Sequence, residues 1–354
     1  MKLSRIAVIA AVVLGLSLQF SAAVWADEAA NALSQARLAL KGGDKASARS
    51  LFEAAYLKFP DSPQAPAAMM GHAYLVLPDD EKAALEQFRT VATHYPDSPE
   101  APRAWLRVAY IKLRDNQADA VFYFKLISEH YPGTPQAQEA TYRLGRLSVR
   151  DKDYDKAVET LQSAESAPGL DVTRAQALVH LGNAHIFKLL ATKDKAELEK
   201  AEEIMLHIEE KCPGEARSIM QARVDLARVY AFVGGSAGVY DPAYARTILL
   251  EALAKWPDTY YTPEAHAIVG FTYHYQHNDR AAVDYLEKLV NDFPNSEWNP
   301  MLLNSIGGLQ QNLGAKAEAI EAYKRCIALD PGTDWAESAR KSVATLTASD
   351  AASR

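Results

Sequence analysis

The apolar and polar positions of this 354-residue chain recur with the spacing of helices that bury one face. The last stretch shows the pattern most plainly. Asn299-Pro300 opens a helix whose inward positions are Leu303, Ile306, Gly307 and Gln310; Gly314 breaks it, and a second helix carries Ala319, Ile320, Tyr323 and Cys326 up to Pro331. Steps of three and four residues put such positions on one stripe of a helix. Gly307 and Ala319 are small where two helix backbones must approach. Proline closes the unit because it cannot continue a helix interior and drives the residue before it out of the helical region.

The same punctuation runs along the chain. Phe59-Pro60-Asp61-Ser62-Pro63, Tyr95-Pro96-Asp97-Ser98-Pro99 and Tyr131-Pro132-Gly133-Thr134-Pro135 fall 36 residues apart, and Ala167-Pro168-Gly169 follows after another 36. Cys212-Pro213-Gly214, Trp256-Pro257-Asp258, Phe293-Pro294-Asn295 and Asp330-Pro331-Gly332 continue the series at steps of 45, 44, 37 and 37. The Asp, Asn, Ser and Thr after the proline suit the start of the next helix. Each mark therefore predicts a stop followed by a start, and the chain reads as a series of helix pairs.

The order large–large–small–large, then small–aromatic–small, then proline, resembles the tetratricopeptide repeat. Leu303, Ile306, Gly307, Gln310, Ala319, Tyr323, Cys326 and Pro331 carry it in the eighth unit, with Gln310 where a tyrosine is usual. The seventh has His266, Val269, Gly270, Tyr273, Ala282, Leu286, Leu289 and Pro294. The fifth has Leu178, Leu181, Gly182, His185, Ala201, Met205, Ile208 and Pro213, and the sixth Leu226, Ala227, Tyr230, Ala245, Leu249, Ala252 and Pro257. Units two to four show Gly71–Ala84–Phe88, Ala109–Ala120–Phe124 and Gly145–Ala157–Leu161; the first shows Ala48, Phe52, Ala55 and Pro60.

The resemblance covers Asp27 to Thr347. It implies an all-α, right-handed superhelical solenoid of about eight helix pairs, ending near residues 60, 96, 132, 168, 213, 257, 294 and 331. A further helix, Asp334–Leu346, would cover the last edge, as end caps of repeat stacks do; residues 348–354 are expected to form a flexible tail. Units five and six hold insertions around 189–199 and 234–242. In such a stack the first helix of each pair lines the concave face.

Charge narrows the partners. The formal net charge is −7, which disfavours a general binder of nucleic acid or anionic membranes, since both require a basic face. The N-terminus reads as an export signal over residues 1–26: Lys2 and Arg5, an apolar run from Ile6 to Leu18, then Val24-Trp25-Ala26 before Asp27. Cleavage after Ala26 would leave a periplasmic or secreted chain of formal charge −9, −7 less the two positive charges of Lys2 and Arg5.

Motifs of catalysis are missing from the sequence: there is no Gly-rich phosphate loop, HExxH, GxSxG or paired CxxC. No cofactor or metal is expected. Cys212 and Cys326 lie three units apart and are expected to be free, structural thiols, because a disulfide tolerates only about 7 Å between Cα atoms. His274, His277, Asp279 and His266 raise a metal site, but His266 is a packing position and His277 ends its helix. Counting outward from each small residue, the first helices offer His72, Arg103, Tyr110, Tyr142, Arg146, Asn183, Arg228, Phe271, His274, Asn304 and Gln311 as a partner-binding groove. Arg and Tyr are enriched at the energetic centres of interfaces.

The expected function is a non-enzymatic adaptor at the bacterial cell envelope that holds an extended peptide or partner helix. An alternative is a component of envelope polysaccharide handling that binds glycan or peptidoglycan through Tyr260, Tyr261, Phe271 and Tyr275. Nucleic acid is not an expected partner, nor is a stable membrane span after signal cleavage.

Overall fold

A computed structural model describes residues 25–352; residues 1–24, which hold almost all of the expected signal, lie outside the described residues. The described chain is all-α, without strands. Helix pairs follow the proline marks: α1 (25–41) with α2 (Lys45–Lys58), α3 (Ala65–Val76) with α4 (Glu81–His94), and α5 (Glu100–Asp115) with α6 (Gln117–His130). Next come α7 (Pro135–Arg150) with α8 (Tyr154–Ser166), then α9 (Asp171–Thr192) with the broken second helix α10 (Ala196–Leu206) and α11 (Ile208–Lys211). The series closes with α12 (Ala216–Ala231) and α13 (Pro242–Lys255), α14 (Thr262–Tyr275) and α15 (Asp279–Asp292), α16 (Asn299–Asn312) and α17 (Lys316–Leu329), and finally α18 (Asp334–Ala352). The last helix continues past Leu346, into the stretch expected as tail.

Two compact units emerge. The first holds residues up to Leu144 with Ala167–Gly169, the second Gly145–Ser166 and everything from Leu170. Unit one buries Phe52, Phe88, Val91, Val108, Phe124 and Ile127 between its helices. The core of unit two includes Leu178, Met205, Met220, Leu226, Leu249 and Val269, and around α15–α17 Leu286, Leu303, Ile306 and Tyr323.

The caps explain where each helix begins, and they differ from expectation. Five second helices are capped by side chains that accept a first-turn N–H: Asp44 from Ser47, Asp80 from Ala83, Asn116 from Ala118, Asp241 from Tyr244 and Asn278 from Ala281. At the proline marks the hydroxyls turn backwards. Ser62, Ser98 and Thr134 each donate at 2.8 Å to the carbonyl of the residue before proline, Phe59, Tyr95 and Tyr131. Thr134 also accepts from Ala137 N. The mark thus ties off the old helix more than it caps the new one.

The close-packed position identifies each pair's register. A Cβ on Gly145, Gly182, Gly270 or Gly307 would come within 2.5, 2.4, 2.3 and 2.5 Å of Leu161, Met205, Leu286 and Tyr323, on the second helix of the same pair. Seven residues later the chain turns left-handed, at Lys152 (φ 62), His277 (φ 60) and Gly314 (φ 73) in the fourth, seventh and eighth repeats. Gly71 breaks this rule. Its Cβ would meet Phe52 on α2, the preceding pair. The equivalent position in the second repeat is Ala73, fully buried and 36 residues before Ala109.

The two insertions are built differently. The first lengthens α9 and ends it on Lys193 in the left-handed region (φ 63). The second folds into a short 3-10 turn, Val233–Ala237, closed by Gly238 at φ 69. They meet: Lys193 Nζ donates to Ser236 Oγ at 3.1 Å.

Candidate partner-binding face

In unit one the first helices place a tyrosine and an arginine together twice. Arg107 donates from Nε to the Tyr74 hydroxyl at 2.7 Å, and its guanidinium lies 4.9 Å from the ring centroid. Thirty-six residues on, Arg143 Nε donates to the Tyr110 hydroxyl at 3.0 Å, 5.1 Å over that ring. The residue just after the small position of one repeat therefore meets the residue two before the small position of the next. In unit two the same geometry joins Asn183 to Asp225, Nδ2 to Oδ2 at 2.9 Å.

Electrostatics separate the two pairs. Tyr110 also donates to Glu139, and Arg143 pairs with that carboxylate at 2.7 Å. Burial, then Glu139, raises the Tyr110 hydroxyl far above its ordinary pKa. Burial works against the Arg143 charge, but Glu139 and Tyr110 outweigh it and raise the guanidinium. That cluster is a closed network. Arg107 and Tyr74 are exposed, and the partner of Arg107 is a hydroxyl where Arg143 also has a carboxylate.

The groove residues read from sequence divide accordingly. Arg103 and Arg146 are exposed and Tyr110 half-buried. His72 and Tyr142 are corrections: at 4% and 2% exposure they are packing residues. His72 was counted from Gly71, which faces the other way, and it hydrogen-bonds Gln87 at 2.9 Å. Shifting the count to Ala73 brings in Tyr74, and Arg107 and Arg143 were overlooked; the 36-residue step from Tyr110 back to Tyr74 was the signal. In unit two, Arg228 is engaged by Glu264 and Asp225. His274 holds Asp279 at 2.6 Å, Gln311 accepts from Tyr323, and Phe271 is half-buried.

The aromatics proposed as a glycan shelf do not form one surface. Tyr260 and Tyr261 stand edge to face at the start of α14, with Arg217 over Tyr260. Phe271 and Tyr275 lie at its far end, about 15–20 Å away at 1.5 Å per residue. Cys212 and Cys326 are both free and buried, as expected, and burial raises both thiols. His277 is a turn residue at positive φ, and among the described residues no three His, Cys, Asp or Glu side chains are grouped to hold a metal. No helix among them is long and apolar enough to cross a membrane.

The most buried ionic group sits elsewhere. Glu197, 5% exposed, takes His185 Nδ1 at 2.6 Å, Lys200 at 2.9 Å and Lys188 at 3.7 Å. Burial alone would raise its pKa, but His185 and the two ammonium groups hold it at about 2.

Within each unit, helix pairs that pack on the next pair, with a side-chain ladder in the first unit, define an all-α repeat scaffold. Three tetratricopeptide-repeat models match the chain, over residues 33–99 and 118–171, 269–296, and 302–333. The chain belongs to the tetratricopeptide-repeat family. Among solved structures it is similar to a human IFIT1 dimer with PPP-AAAA, at 19% identity and TM-score 0.51, over 90% of this chain and 72% of that one. It is also similar to the APC/C hetero-tetramer Cut9–Hcn1 (15%, TM-score 0.43, 85% of this chain and 52% of that one). A tetratricopeptide repeat protein from Parabacteroides merdae matches at 14% identity and TM-score 0.37, over 91% of this chain and 99% of that one. These likenesses concern the fold. No curated protein sequence matches the chain.

Proposed function

We propose that this repeat protein is a non-catalytic adaptor of the cell envelope that holds an extended, acidic segment of a protein partner along the first helices of unit one. The carrying observation is the Tyr74–Arg107 pair. A planar guanidinium fixed over an aromatic ring is oriented in advance to take a carboxylate on its free edge, at little entropic cost. The same helix carries Arg103 beside it, while α3 has no acidic side chain at all. On a chain of net charge −7 this local excess favours acidic partners and faster encounter with them. The location rests on the basic-then-apolar N-terminus.

The test is capture from an envelope fraction and, in parallel, fluorescence anisotropy with a labelled Asp/Glu-rich peptide. Arg103→Glu combined with Arg107→Glu alters two exposed side chains, so helicity should be retained. Binding should weaken at least about tenfold and the wild-type affinity should fall with added salt. Equal binding by the double variant defeats the assignment. N-terminal sequencing of the exported protein tests the signal: an intact Met1 would contradict cleavage.

A further inference from the structure

One cleft of unit two collects basic side chains from consecutive helices. It encloses about 520 Å³ between α8, α9 and α10, with Lys188, Lys200, Lys211, His185 and His207 in its lining. Glu203 is the one carboxylate of that lining, and Val158 and Ile204 give it an apolar wall.

The carboxylates around it do not use up the cations. Asp155 takes Lys188 at 2.7 Å but is 88% exposed, so water screens that pair. Lys200 holds Glu197 at 2.9 Å and Lys211 holds Glu165 at 2.9 Å. An ammonium carries three N–H donors, and both of these side chains are about half exposed, so each keeps donors beyond its ion pair. Glu197 is outnumbered by His185, Lys188 and Lys200, which is why it stays ionised down to about 2.

The histidines add a second kind of group. His185, 4% exposed, donates Nδ1–H to the Glu197 carboxylate at 2.6 Å. His207 donates Nδ1–H to the Glu203 backbone carbonyl at 2.7 Å. Each ring is left with Nε2 to offer the cleft, an atom that accepts an O–H when the ring is neutral and donates when it is protonated.

We propose that this cleft binds a small phosphate monoester, with the phosphate on Lys200, Lys211 and the two histidines and the ester's apolar body against Val158 and Ile204. A phosphate monoester titrates near pH 6, so it gives O⁻ to the ammonium groups and either O–H or O⁻ to an imidazole, whichever the ring requires. A sulfate ester has a single charge and no proton to give. Orthophosphate alone would leave most of the space unfilled, since clefts of about 300–1,000 Å³ take whole organic ligands. The site lies within unit two and does not involve Arg103 or Arg107.

The experiment titrates phenyl phosphate into the full chain by calorimetry, with phenyl sulfate and benzyl alcohol alongside. Phenyl phosphate should bind, phenyl sulfate should bind at least about tenfold more weakly, and benzyl alcohol should give no signal. Lys200→Gln with Lys211→Gln alters two exposed side chains and should weaken phenyl phosphate at least about tenfold. Glu203→Gln removes the carboxylate of the lining and should tighten it. Circular dichroism checks folding; if the double variant does not fold, His207→Ala, at an exposed position, replaces it and should also weaken binding. Arg103→Glu with Arg107→Glu should leave phenyl phosphate unaffected, so this site and the acidic-segment site fail separately. No binding of phenyl phosphate, equal binding of either control, equal binding by the lysine or histidine variant, or weaker binding by Glu203→Gln overturns the proposal.

Discussion

Gly71 decides the register of the second repeat, and its contact can be measured. A methyl group added there would stand 2.7 Å from Phe52 Cε1 and Cζ and 2.9 Å from Cδ1, where carbon pairs ordinarily rest at about 3.5–4.0 Å. The ring must retreat by about 1 Å, yet Phe52 is only 3% exposed and hemmed in by α2 and α3. Gly71→Ala should therefore cost about 1–3 kcal/mol in overpacking, partly masked by about 1 kcal/mol of helix propensity. Phe52→Ala alone should cost about 3–5 kcal/mol through its cavity. With both, the new methyl occupies vacated space, so the double variant should be more stable than the sum of the singles by about 1–3 kcal/mol. Propensity cancels within the cycle. Phe88→Ala on α4 serves as the control, because Phe88 would be the partner if Gly71 were the small residue of its own pair; that cycle should be additive to about 0.5 kcal/mol. Stacked repeats can unfold in stages, so hydrogen exchange across α2–α4 should accompany urea melts. Coupling to Phe88 in place of Phe52 would refute the register.

Three more outcomes follow from buried chemistry. The folded Glu197 pKa lies below its ordinary value, so its contribution is present above about pH 4.5 and lost as pH falls towards 2. Wild type should lose roughly 3 kcal/mol across that window, and Glu197→Gln, already destabilised at neutral pH, should show a flatter acid profile in the same melts. Arg223 is 8% exposed and donates to the carbonyls of Met205 and Leu206, the latter at 2.7 Å, where α10 breaks before α11. Arg223→Ala should cost about 2–4 kcal/mol by orphaning those acceptors, read as lost protection of α10; unchanged protection would contradict the cap. Intact mass with and without reductant should agree, and both thiols should resist alkylation until the chain unfolds; a two-dalton difference would reveal a disulfide.

The helix pairs were legible because proline and the small close-packed residues act locally, and each leaves its mark within one unit of sequence. What escaped was the direction in which a small residue looks. Gly71 and Ala73 stand two apart on one helix, and either satisfies a small-residue pattern; only packing shows that one faces Phe52 and the other fills the repeat's own seam. That slip carried His72 into the groove and left Tyr74 out. Arg107 and Arg143 escaped for another reason: their partners lie 33 residues back, and no single helix reveals a contact between neighbours. The insertions were visible as extra length, but an elongated helix and a 3-10 turn cannot be told apart by counting residues.

The tyrosine–arginine ladder has a bearing on how such a chain changes over time. Each rung is split between two repeats, the ring from one and the guanidinium from the next. Duplicating or deleting a whole 36-residue repeat in this stretch would preserve every rung and merely lengthen or shorten the surface, so a partner's reach could be adjusted in steps of one repeat. A single-residue insertion inside α5 would turn the following residues about 100° around the helix and uncouple a rung on each side. The surface can thus grow by whole modules and tolerates little drift within one.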